Sequence, residues 1–292
     1  MIDLTIRTPG VYQIPNAAYH AQICDGPSIS STGLRTIALQ SPAHFWAYSD
    51  LNPFREPEEV KPKVLNFGNA AHSLLLEGAL PKSEYAIAPF VGNYAKNEPG
   101  WNAGDKRAWR DEQQAAGMIV VSPDDIAKIE RMAEVLRRHP LVMLGLFRGE
   151  VERALFVKRG KYWLKSKPDV IPEDTIIADY KTVADAGLRA VTNANVDHGY
   201  YMQIALAIDL IRETTGREIE NATLLVQEKE PPYAVVSYAL SDHFINIGRA
   251  RYERAFETFI ACYEANEWPC YCDQTLYVPS WLETQLEQEG IK

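Results

Sequence analysis

Apolar and polar positions alternate along residues 150–157, EVERALFV, and again along 161–171, KYWLKSKPDVI. A third run, TIIADYKTV at 175–183, is apolar and rich in β-branched residues. This period of two predicts three strands, and the short links KRG and PED predict a meander. A helical period then takes over. In NVDHGYYMQIALAIDLIRETTG, 195–216, Tyr201, Ala205, Ile208 and Ile211 recur on one helix face, and Gly216 stops the helix. Two more strands, NATLLVQEK and YAVVSYAL, precede a long helix over about 241–266.

The N-terminal part reads differently. Residues 1–60 form an extended lead-in with two short helices, one capped by Ser30 or Ser31 and one opened by Ser41-Pro42. NFGNAAHSLLLEG, 66–78, is a compact apolar helix ending at Gly78. Residues 90–107 carry Gly, Asn and aromatics and read as a loop. SPDDIAKIERMAEVLRRHP has Ser122 as cap, Pro123 in the first turn, and Asp124 and Asp125 at the positive dipole end, with Arg137-Arg138 at the other. Helix, three strands, helix, strands, helix predicts an α/β fold with a mixed sheet flanked by helices. We expect one domain over 1–292: an N-terminal helical elaboration (1–65), a core (66–240) and a C-terminal helix and tail (241–292).

The 292 residues are 46% hydrophobic, enough for a substantial core, and contain no long apolar run that would span a membrane. The first residues lack a charged start followed by an apolar block, so a cytoplasmic protein is expected. Cys24, Cys262, Cys270 and Cys272 are too few in a chain this long for a disulfide scaffold. The net charge of −9 confines any nucleic-acid binding to a local basic patch. The densest candidate is VKRGKYWLKSKPD, 157–169, with five Lys or Arg.

The chemistry centres on IIADYKTV. Side chains two apart on a strand share a face, so Asp179 and Lys181 lie together, with Tyr180 facing the other way. Along the preceding strand Trp163, Lys165, Lys167 and Asp169 share a face, and Asp169 can meet Asp179 at adjacent strand ends. Two close carboxylates repel unless a cation lies between them. A hard divalent ion satisfies such oxygen ligands. Lys181 could then orient or deprotonate a water, or stabilise developing negative charge. A structural Asp–Lys ion pair is the alternative on this pattern alone.

Pro168-Asp169, nine residues, then Asp179-Tyr180-Lys181 resembles the PD-(D/E)xK nuclease signature. His72 in FGNAAHSLLLEG resembles the helix histidine of RecB-type and RecE-type nucleases. Gln203 in YYMQIALA and Glu152 in EVERALF occupy places where these nucleases carry a glutamine and a glutamate. The segments GVYQIPNAAYHA, ISSTGLRTIALQSPAHFWA and NEWPCYCDQTLYVPSW also resemble RecE, so the chain is identified as a member of the RecE-like, exonuclease VIII-type phage and prophage exonucleases. The likeness runs from about Gly10 to Trp281. It departs at the motif tyrosine: four residues after Gln203 stands Ala207, so either Tyr200 or Tyr201 serves instead or the role is absent.

The resemblance implies a restriction-endonuclease-like core in which Asp169, Asp179 and the Tyr180 carbonyl bind one or two Mg²⁺ or Mn²⁺ ions, with His72 as a further ligand. It implies catalytic parts for Asp169, Asp179, Lys181, Glu152 and Gln203. Lys165 and Lys167 would lead phosphates to the metal, and Trp101, Lys106, Arg107 and Arg110 would meet DNA from the 90–107 loop, with Tyr200 from the helix. The implied activity is ATP-independent 5′→3′ digestion of linear duplex DNA from its ends. The product is a 3′ single strand for an annealing-protein partner, and the enzyme is a ring-forming trimer or tetramer. Two rival readings are an iron–sulfur nuclease of the Cas4 or AddB type using the four cysteines, and an inactive DNA-end binder.

Overall fold

The computed structural model describes residues 5–55, 63–91 and 93–290. Residues 1–4, where the leader reading begins, lie outside the described residues, as do 56–62 of the lead-in and Gly92 of the loop. In chain order the strands are β1 (Gly10–Tyr12), β2 (Ser28–Ser30), β3 (Tyr85–Ile87), β4 (Ile119–Val121), β5 (Gly149–Val151), β6 (Ala154–Arg159), β7 (Tyr162–Ser166), β8 (Val170–Pro172), β9 (Ile176–Val183), β10 (Asn221–Glu228) and β11 (Val235–Leu240). The helices are α1 (Asn16–His20), α2 (Ser31–Leu39), α3 (Pro42–Tyr48), α4 (Lys63–His72), α5 (Ala103–Ala115), α6 (Pro123–Leu136), α7 (Pro140–Met143), α8 (Leu188–Asp197), α9 (Tyr200–Thr215), α10 (Asp242–Ala265) and α11 (Ser280–Gln288).

The expected caps are present. Ser30 accepts from the Gly33 amide and Ser41 from the His44 amide, while Ser122 and Asp125 cap each other reciprocally. The 90–107 loop is shorter than expected, because Asn102 accepts from the Gly104 and Asp105 amides and starts α5 inside it. The long helix expected from 195 is two helices. Gly199 adopts φ 64 between α8 and α9, with Leu39 and Arg35 so close that a Cβ would crowd them.

The sheet is mixed, as expected, but the meander is not. β6 pairs antiparallel with β7, and β1 and β2 flank them in the order β1-β6-β7-β2. β9 instead pairs in parallel with β10, which pairs antiparallel with β11. Short β5 and β8 pair separately. Each of the first two expected strands is therefore broken: the first at Glu152-Arg153, the second at Lys167-Pro168-Asp169. Pro168 has no N–H to give a ladder, which accounts for the second break. Glu152 stands at φ 53, which accounts for the first.

Helix α9 lies under these strands. Leu155, Leu164, Ile177 and Leu224 share one core with Ile204, Leu206 and Ile211 of α9. The other face of β9 packs Ala178 and Tyr180 against Leu136, Leu146 and Leu225. Strand β9 is thus buried on both faces at its middle, which explains its apolar, β-branched composition. Helix α10 covers α9 at close range, for a Cβ on Gly248 would stand 2.5 Å from the Tyr201 carbonyl oxygen.

Candidate metal centre

The two strand breaks face each other. The Glu152 amide donates to the Asp169 carbonyl at 3.1 Å across the gap. Each break turns an acidic side chain out of its ladder toward the same space. Asp169 is buried, and its Oδ2 accepts from the Tyr180 amide at 2.6 Å. That bond locks one carboxylate oxygen to β9. Its Oδ1 lies 3.5 Å from His72 Nδ1. His72 ends α4, where the chain loosens into a π turn over Ser73–Glu77, and its ring lies 5.2 Å from that of Tyr180. Ligand atoms of His72, Glu152 and Asp169 all lie within 4.8 Å of one another.

Asp179 and Lys181 share a face of β9, as the alternation requires. Asp179 Oδ2 lies 2.7 Å from Lys181 Nζ, and its Oδ1 accepts from Gln203 Nε2 at 3.1 Å. The Lys181 ammonium also lies over the Tyr200 ring, 5.3 Å from its centroid. Tyr180 points to the opposite face, where its hydroxyl donates to Gln227 Oε1 at 2.7 Å. Gln227 Nε2 in turn donates to the Met132 carbonyl at 2.9 Å and the Tyr233 carbonyl at 3.3 Å.

Burial dominates the electrostatics, and neighbouring charges add to it or oppose it. Burial, then the neighbouring Asp179, pushes the Asp169 carboxyl up to about 7. Burial, then the Lys181 charge, pushes His72 down to about 4, so it is a neutral imidazole at neutral pH. Burial also raises Glu152, against the pull of Lys167. For Lys181 burial works against the charged form, but Asp179 and Asp169 outweigh it and hold its pKa above the usual value. In this arrangement the Lys181 ammonium is held between the Asp179 carboxylate and the Tyr200 ring. A neutral imidazole beside crowded carboxylates suits a hard divalent cation, which would relieve the repulsion.

All five residues expected to be catalytic, and His72, meet at this end of β9. The grouping differs in one respect from the expected ligand pair: the close trio is His72, Glu152 and Asp169, while Asp179 is held by Lys181 and Gln203.

The expected DNA contacts fare differently. Lys165 is 3% exposed, and its ammonium donates to the Tyr19, His20 and Ala21 carbonyls at the end of α1. It caps a helix and presents no charge to a phosphate. Lys106 is 1% exposed, pairs with Glu98 at 3.2 Å and lies over the Phe90 ring. Trp101 packs on Phe90, Arg107 donates to the Tyr94 carbonyl, and Arg110 pairs with Asp111. These side chains brace their own segment. Lys167 pairs with Glu152 at 2.7 Å. The four cysteines are free thiols: Cys24 is half-buried, Cys262 buried, and Cys270 and Cys272 exposed. Among the described residues the grouped metal-ligand atoms are those of the His72 trio.

Two participants escaped the sequence reading. Gln227 is fully buried, and a lone amide in the apolar run LLVQ was a legible oddity. Arg35 of α2 donates to the His198 carbonyl, and its charge is felt by Asp179 and Tyr200. It comes from a distant segment, and no local pattern marks it.

A family model for a PDDEXK-like domain of unknown function (DUF3799) matches residues 30–280. None of the curated proteins matches this sequence. A solved structure from Eubacterium rectale, provisionally named an exonuclease, is 15% identical with a TM-score of 0.61, over 92% of this chain and 96% of that one. The two share a fold. An alkaline exonuclease (LHK-Exo) from Laribacter hongkongensis is 12% identical with a TM-score of 0.27, over 68% of this chain and 95% of that one. That overlap is too loose to bear on the argument.

Proposed function

The chain belongs to the PDDEXK-like DUF3799 family, and from that premise we propose that it is a divalent-metal-dependent exonuclease that hydrolyses linear duplex DNA from its 5′ ends. The observation that carries the reading is the facing pair of strand breaks, which assembles Glu152, Asp169 and His72 beside the Asp179–Lys181 pair.

Asp169, Glu152 and His72, with Asp179 and the Tyr180 carbonyl, are the groups that would hold Mg²⁺ or Mn²⁺. When bound, the ion supplies Lewis-acid polarisation of the phosphodiester and neutralises its charge. The protein does the rest. Lys181, kept protonated by its acidic neighbours, stabilises the negative charge that builds on phosphorus oxygens as a water oxygen bonds to phosphorus, the P–O bond to the leaving nucleotide breaks, and the water's proton passes through solvent to the leaving oxygen. Gln203 fixes Asp179, and the Tyr180 amide fixes Asp169, so neither carboxylate must reorganise as charge develops. A cytoplasmic ring of three or four copies, and a single-strand annealing protein that receives the 3′ strand, complete the reading on family resemblance.

The test is incubation with end-labelled linear duplex, closed circular duplex and single strands, with and without Mg²⁺. Loss of the 5′ label from linear duplex, dependent on Mg²⁺, is the expected result. Cutting of closed circles would refute the exonuclease reading, and equal loss of both end labels would refute the polarity.

A further inference from the structure

Glu152 is unusual twice over: its backbone stands at φ 53, and its carboxylate is shared between the His72–Asp169 cluster and an internal cation. A non-glycine residue in this region is strained, and such strain persists where the surroundings over-determine it. Those surroundings are identifiable. Glu152 Oε2 lies 2.7 Å from Lys167 Nζ, and the Lys167 side chain is only 10% exposed. Lys167 also donates to Asn16 Oδ1, and Asn16 Nδ2 donates to Glu84 Oε2 at 3.0 Å. Glu84, Asn16, Lys167 and Glu152 therefore form one chain of polar contacts drawn from four separate segments. It lines a cleft of about 130 Å³, to which Pro15 and Pro81 also contribute.

We propose that Lys167 is a positioning residue of the metal centre: it holds the Glu152 carboxylate beside His72 and Asp169 and competes with the incoming cation for it. This rests on the metal-dependent reading above and replaces the sequence expectation that Lys167 contacts DNA phosphates. The charge count supports it. Three carboxyl groups (Glu152, Asp169, Asp179) share two ammonium groups (Lys167, Lys181), so Lys167 supplies one of the two positive side chains paired within the cluster. A lysine so placed steadies Glu152 while no ion is bound and weakens the hold on the ion once it arrives. A fixed unit charge at this range changes divalent-ion affinity strongly, even in a well-screened protein environment.

The test is Mn²⁺ binding by calorimetry on DNA-free protein: wild type, Lys167→Met, Lys167→Arg, Glu152→Gln and Asp169→Asn, with thermal melts to confirm folding. We expect Lys167→Met to tighten Mn²⁺ binding about tenfold or more, Lys167→Arg to stay within about threefold of wild type, and Glu152→Gln to weaken it. Adding Lys167→Met to Glu152→Gln should then change far less than Lys167→Met alone. Unchanged or weaker Mn²⁺ binding in Lys167→Met overturns the proposal. So does a drop of about one in the slope of log affinity for duplex DNA against log salt, which would mark a phosphate contact. If wild type fails to bind Mn²⁺, or Asp169→Asn binds it equally well, the metal-dependent reading itself falls. That outcome is distinct from failure of the lysine's part alone. Should Lys167→Met not fold, Lys167→Arg and Glu152→Gln decide the matter: equal Mn²⁺ affinity in Glu152→Gln and wild type removes the carboxylate that Lys167 is said to position.

Discussion

Two aspartates, equally buried, show what separates a structural charge from a reactive one. Asp209 of α9 and Asp179 of β9 are 3% and 4% exposed. Asp209 is saturated. Arg249 grips both of its oxygens at 2.7 and 2.8 Å, Tyr252 donates at 2.5 Å, and Arg212 stands at 3.5 Å. All its attention goes to pinning α10 onto α9. Asp179 has one lysine and one amide, and Asp169 with its raised pKa lies beside it. One cluster is closed and balanced; the other is crowded with like charge and lies beside a neutral imidazole. A buried carboxylate marks a site when its neighbours fail to neutralise it, and burial alone does not.

That contrast can be broken from either side. The largest effect should come from Asp169→Ala or Asp179→Ala, which should cut nuclease turnover by at least about a thousandfold in a labelled-duplex assay. The melting temperature of Asp169→Asn, which keeps an acceptor for the Tyr180 amide while removing a like charge, should hold or rise. Asp209→Ala should do the reverse. Urea unfolding should show a loss of about 2–4 kcal/mol, since Arg249 and Tyr252 lose their shared acceptor. Activity per folded molecule should stay within about twofold of wild type. Loss of activity without loss of stability in Asp209→Ala would erase the distinction.

Lys165 belongs with Asp209 in the closed class. Lys165→Met should cost about 1–3 kcal/mol of stability by stranding the carbonyls at the end of α1, and should leave the salt dependence of DNA binding unchanged. A reduced salt slope would restore the phosphate-guiding part expected from sequence.

The smallest effect is a pH dependence of the metal-free protein. Asp169, pushed up to about 7, keeps a proton in the fold that an unfolded carboxyl has already lost. Its contribution to stability is therefore full below about pH 4 and is lost as pH rises through about 7. Lys181 offsets part of this, so the difference between wild type and Asp169→Asn should change by on the order of 1–2 kcal/mol across that window. Denaturant midpoints measured at several pH values check it, and parallel profiles for the two proteins would contradict the raised pKa.

Much of the site was legible in local pattern. The alternation in IIADYKTV put Asp179 and Lys181 on one face, and the PD motif supplied Asp169 ten residues earlier. His72 and Gln203 were marked by resemblance, and all of these meet in the fold. The basic stripe misled because two lysines on one strand face look alike in sequence. Lys165 runs under α1 and Lys167 turns to Glu152, and only the path of a distant segment decides that. The meander failed for a related reason. Pro168 was visible, but whether a proline ends a strand or merely interrupts its edge depends on the partner strand.

By itself the sequence determined the caps of α2, α3 and α6 and the acid–base content of β9, because those follow from periodicity, side-chain stereochemistry and near neighbours. It could not say that Glu152 would be strained into the gap opposite Asp169, or that β9 would leave β7 for β10. Nor could it say which lysines would spend their charge inside the protein. Those are settled by long-range packing: a buried ammonium must find acceptors, and a buried carboxylate must find a donor or a cation, wherever the fold places one.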